Sequence, residues 1–76
     1  MTEQEKLAKK LYKSDDYFIK YSAGRAIACY PYYAGSTYAK VGGESVHDAK
    51  SGAQAFLREK ATDHAAQLLE AEERET

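Results

Sequence analysis

Tryptophan is absent from this 76-residue chain, and cysteine, proline and methionine occur once each. The lone Cys29 excludes an intramolecular disulfide, and without a Cys-x-x-Cys pair nothing suggests zinc. No apolar run approaches the ~20 residues needed to span a bilayer, and the first residues lack the apolar stretch of a signal peptide. Together these absences lead us to expect a cytoplasmic protein. Large aliphatics are also scarce: five Leu, two Ile and two Val, joined by Phe18 and Phe56. Alanine, with 13 copies, adds little buried area, so the seven tyrosines must supply part of any core. A core this thin is often completed by a second copy or a partner, which makes a homodimer one of the expected assemblies.

The net charge of −1 argues against simple polyanion binding. It is unevenly spread. Residues 1–13 carry four Lys against two Glu, whereas residues 46–76 carry four basic groups against seven acidic ones. The plain reading of both clusters is solvated helix surface.

Thr2-Glu3-Gln4-Glu5 has the pattern of a capping box and predicts a helix over 2–13. Leu7, Ala8, Leu11 and Tyr12 share one face of it, lysines fill the rest, and Ser14-Asp15-Asp16 ends it. Aromatic and β-branched residues then predict strands over 17–22, 25–30 and 37–41. Ala23-Gly24 and Ala34-Gly35-Ser36 are read as turns, and Pro31 as the end or a bulge of the second strand. Gly42-Gly43 closes this meander. A long helix over 46–69 follows, with Ser45 as N-cap and Asp48 at the capping-box position. The glutamate-rich residues beyond it are expected to fray. The expected fold is a single α+β domain, α-β-β-β-α, in which helices pack on a three-stranded antiparallel meander.

Alternation along the strands assigns Ile19, Tyr21, Ile27, Cys29, Ala39 and Val41 to the helix-covered face. Phe18, Lys20, Ala28, Tyr30, Tyr38 and Lys40 then point the other way, joined by Tyr32 if Pro31 leaves the register undisturbed.

Catalytic chemistry finds little support. His47 and His64 are 17 residues apart, roughly 25 Å along one straight helix, too far to share a metal. Cys29, in a strand facing the core, is read as a small hydrophobe. The Gly42–Ser45 segment lacks the glycine spacing and lysine of a phosphate loop. We therefore expect no enzyme activity, cofactor or metal. The remaining candidates for a site are Tyr30, Tyr32, Tyr38, Lys20 and Lys40, an aromatic and basic group suited to an interface. Tyrosine is also a good strand former, so a structural role for the same rings stands beside the interface reading.

Two families are resembled. Ser45, Ala49, Lys50 and Ala53 match Ser-Lys-Lys-x-Ala-Lys-x-x-Ala, which opens the last helix of double-stranded-RNA-binding domains. Val46 and His47 replace that motif's two phosphate-contacting lysines, and the family's Gly-Pro-x-His is absent. This resemblance implies the same element order and a nucleic-acid-binding module. Phe18-Ile19-Lys20-Tyr21 is similar to the opening strand of a type I anti-CRISPR protein. That resemblance, to small phage-encoded inhibitors, implies a non-catalytic chain that occludes a host protein or nucleoprotein complex. We take the inhibitor as the leading expectation and the nucleic-acid-binding module as the second.

Overall fold

The computed structural model describes the backbone of residues 1–34 and 37–75, and the side chains of residues 1–32 and 42–73. Helix α1 (Glu3–Tyr12) starts where the capping pattern places it. The Glu5 N–H donates to Thr2 Oγ1 at 3.1 Å, and the Thr2 hydroxyl donates in turn to the Glu5 carboxylate at 3.2 Å. The carboxylate thus closes the cap on the hydroxyl. At the other end Ser14 donates from both its N–H and its hydroxyl to the Leu11 carbonyl, satisfying an acceptor the helix leaves open.

Strands β1 (Phe18–Ser22), β2 (Arg25–Ala34) and β3 (Thr37–His47) form one antiparallel sheet in the order β1-β2-β3. The β1–β2 turn is two residues long, and both have positive φ, 51° at Ala23 and 74° at Gly24. That is the hairpin turn whose twist matches its strands. It pairs Ser22 with Arg25, Ile19 with Ala28 and Phe18 with Cys29. Directly opposed residues project to the same face, so Ile19 and Ala28 lie together, as do Phe18 and Cys29.

β2 does not stop at Pro31. It continues, and the register shifts immediately afterwards: Pro31 pairs with Gly42, Tyr32 with Ala39. A residue without an N–H weakens the ladder at that point, and an irregularity there is the usual accommodation. β3 is correspondingly longer than the predicted 37–41, because Gly42-Gly43 lies inside it. Gly43 sits opposite Tyr30, where a Cβ would fall 2.7 Å from both Tyr30 Cζ and Tyr32 Oη. The two rings fold across the strand at Gly43, which has no side chain to obstruct them.

Ser45 is therefore a strand residue opposite Ala28, and the predicted N-cap and helix start at 46 are corrected. Helix α2 spans Lys50–Glu75, its first turn closed by the Ala53 N–H to the Ala49 carbonyl. At ~1.5 Å per residue it is about 39 Å long. It runs unbroken through Gly52 and Thr62-Asp63 and includes the glutamates expected to fray. Glutamate is a good helix former, and Leu69 and Glu72 adjoin Leu7 and Lys10 of α1, so this end has tertiary support. Gln4 Nε2 donates to the Thr62 carbonyl at 3.2 Å, and the Arg58 guanidinium lies over the Tyr12 ring, further tying α1 to α2.

α2 packs on β2, and the core is made mostly of alanine. Ala26 and Ala28 from the sheet meet Ala53, Leu57, Ala61 and Ala65 of α2, with Ala8 and Tyr17 completing the cluster. Leu57, 2% exposed, is the largest fully buried side chain among the described residues. This inverts the predicted faces of β2: Ala28 and Tyr30 lie under the helix, while Ile27 and Cys29 face away with Phe18 and Lys20. The parity set by the two-residue turn requires it once Ile19 is inside. For β1 the predicted faces agree with the structure, although Tyr21 is largely exposed. Ala39, Val41, Tyr38 and Lys40 lie outside the described side chains. Ala28→Leu should accordingly overpack the helix contact and cost about 1–3 kcal/mol in a urea melt. Ile27→Ala, on the uncovered face, should cost about 1 kcal/mol or less. The reverse order would place Ile27 under α2.

Candidate functional site

α2 covers one side of the sheet and α1 packs on α2 rather than on the strands, which leaves the other side open. An antiparallel sheet with a solvated face usually alternates apolar-in with polar-out. Here the solvated face carries Phe18, 51% exposed, and Val46, 54% exposed, with half-buried Ile27 between β1 and β3. Lys20 and Glu44 are its exposed charged pair, with Nζ and Oε1 2.5 Å apart. The Glu44 carboxylate holds the Lys20 ammonium above its ordinary value, first by the hydrogen bond and then by its charge. Cys29 and Pro31 lie between the outer strands and, with Gly42, leave little side-chain bulk in the middle. The result is a broad hollow of about 800 Å³, walled by Phe18, Lys20 and Glu44 and flanked by Asp15 and Asp16 from the turn before β1.

The five residues singled out by sequence do not form one surface. Lys20 is on the open face, its charge engaged by Glu44. Tyr30 is on the opposite face, half-buried against α2, its ring 5.4 Å from that of Phe56 and 5.1 Å from Lys60 Nζ. Burial, and secondarily the neighbouring Tyr32, push its hydroxyl pKa upward. Tyr32 meets Tyr30 edge-on at 5.7 Å and remains exposed on that same helix-bearing side. The expectation that Tyr30 and Tyr32 stand on the open face is thus corrected. Tyr38 and Lys40 fall outside the described side chains. Phe18, Ile27, Val46 and Glu44 were not picked out as site residues. The signal for the first two was the parity of the Ala23-Gly24 turn, and for the last two the extension of β3 past Gly43.

Cys29 belongs to the open side rather than to the alanine core, but its longer neighbours shield it and it is buried. Burial pushes its thiol pKa up, Lys20 opposing and Glu44 reinforcing the effect, so the nucleophilic thiolate is disfavoured. His47 is in β3 and His64 in α2, so the single straight helix imagined to separate them does not exist. His47 packs against Phe56 at 5.2 Å between ring centroids. Among the described residues no three His, Cys, Asp or Glu side chains are grouped as metal ligands, and no helix is long and apolar enough to cross a membrane.

No protein-family model matches this chain, and comparison with curated proteins and with solved structures gives no match either. The reading of the site therefore rests on its own geometry.

One buried titratable contact has a measurable consequence. The Tyr17 hydroxyl is hydrogen-bonded to His64 Nδ1, joining the residue just before β1 to α2 in the core. Burial, with Lys60 adding to it and Asp63 opposing, holds the His64 pKa below its ordinary 6.5. The unfolded chain thus takes up a proton near pH 6.5 that the folded chain refuses. This contribution lowers stability as pH falls through that value and leaves it unaffected well above it. The melting temperature should be lower at pH 5.5 than at pH 7.5, and the difference should shrink in His64→Gln. A melting temperature that rises on acidification and does so through His64 would contradict the assignment.

Proposed function

We propose that this chain is a non-catalytic binding protein whose open sheet face covers a surface of a protein or nucleoprotein complex, in the manner of small phage-encoded inhibitors. The observation that carries this reading is the uncovered face itself. Phe18 and Val46 are each about half exposed on a sheet side that neither helix touches, beside half-buried Ile27. These exposed apolar side chains lie on either side of the Lys20–Glu44 pair, on a face that no element covers, and that supports docking of a partner there. The fold also supplies rigidity. The strands are pinned by a tight turn and by α2, so little order has to be gained when a partner docks.

The second reading, a nucleic-acid-binding module, has less support. Lys20 is tied to Glu44, and Asp15 and Asp16 add negative charge to the same hollow, an arrangement that opposes phosphate contact. Ser45, Val46 and His47, which resemble a helix start, belong to β3.

The test is substitution on the open face. Phe18→Ala and Val46→Ala should leave stability within about 0.5 kcal/mol of the parent, because both side chains are exposed. Affinity for a protein captured from host lysate should fall by ~2 kcal/mol or more if either is an anchor. Unchanged affinity in both variants, with loss on substituting Glu59 or Asp63 of α2, would move the interface off the sheet. Sub-micromolar duplex RNA binding with a steep salt dependence would favour the second reading.

A further inference from the structure

The open face carries a charge pattern as well as apolar surface. The hollow beside Phe18 is floored by small residues, Cys29, Pro31 and Gly42, and so has room, among the described residues, for a further side chain. Among the described residues, three carboxylates, from Asp15, Asp16 and Glu44, border it against one ammonium, that of Lys20. Among the described residues that line the hollow, the Lys20–Glu44 pair cancels locally, and Asp15 and Asp16, both exposed, give the rim a net negative charge.

Resting on the reading above, we propose that the occupant of this hollow is a basic protein segment, an apolar side chain flanked by arginine or lysine. The apolar side chain packs against Phe18, and the flanking cations face Asp15 and Asp16. Complementary charge at a rim sets partner choice and speeds encounter. A second copy of the chain is a poorer occupant, because two such faces would bring their aspartates together. A phosphate backbone is poorer still, since it would meet the same carboxylates. Proteins that grip nucleic acid expose basic segments of this type, and a chain seated on one would deny the surface to its nucleic acid.

The experiment is an amide-resolved NMR titration of the full chain with two capped pentapeptides, Gly-Arg-Leu-Arg-Gly and Gly-Gln-Leu-Gln-Gly. The basic peptide should shift the amides of Phe18, Cys29, Gly42 and Glu44 and bind roughly fivefold more tightly than the neutral one. Asp15→Asn combined with Asp16→Asn, at exposed positions, should abolish that preference, as should high salt. Equal binding of both peptides at these amides would overturn the basic partner while leaving the open face as a binding surface. Shifts confined to α2, or none with either peptide, would overturn both. Concentration-dependent shifts of the same amides without peptide, with a doubled mass by ultracentrifugation, would make the occupant a second copy.

Discussion

The contact on which this structure depends is the close approach of α2 to the central strand. Ala26 and Ala28 have almost no bulk above the sheet, and Ala53, Ala61 and Ala65 have almost none below the helix, so backbone and backbone come near each other around Leu57. Packing at interior density compensates for small residues only if no voids remain between them. Each alanine contributes little burial, and the fold has few large aliphatics to offset a defect. A methylene added on either side pushes the two layers apart, and a shift in register exchanges small residues for large ones. Ends of the contact are closed by different means. Tyr30 reaches Phe56 near the start of α2, and Tyr17 meets His64 further along it.

This contact also decides what is left over. Placing the alanines under the helix consigns the larger Ile27 to the other side, next to Phe18 and Val46. In a sheet with two protected faces those residues would be core. Here they are the surface. The same arrangement explains how an exposed charged pair comes to lie among apolar residues: Lys20 and Glu44 flank the central strand and hold each other where a solvated face would normally carry several independent polar groups.

Much of the architecture was legible in the chain. The capping pattern at Thr2, the stop at Ser14, the Ala23-Gly24 turn and the order α-β-β-β-α all follow from local chemistry. Two steps did not. Ile27 and Cys29 look like inward residues of β2 because hydrophobicity ranks them above Ala26 and Ala28. The two-residue turn makes Ile19 and Ala28 partners, so Ile19 and Ile27 cannot share a face; turn parity outranks hydrophobicity here. Gly42-Gly43 reads as a break because glycine disfavours strands. Only the tertiary fact that Tyr30 and Tyr32 cross above Gly43 explains why the strand continues there. The site shifts with these two features: hydrophobicity alone puts Tyr30 and Tyr32 on the open face, whereas Tyr30 packs against the helix and the open face carries Phe18, Ile27 and Val46.

A non-catalytic binder of the kind proposed needs an unreactive surface more than it needs chemistry, and the open face is consistent with that proposal. Its thiol is shielded, Lys20 is paired with Glu44 and its described apolar groups are held by hydrogen-bonded strands. All of this follows from which side of β2 meets α2. Methyl-resolved nuclear Overhauser measurements test that claim directly. Contacts from the methyls of Ala26 and Ala28 to those of Ala53, Leu57 and Ala61, with Ile27 showing none of them, are the predicted result. Contacts from the Ile27 methyls to Leu57 and Ala61, with Ala28 silent, would contradict the packing and remove the proposed binding face with it.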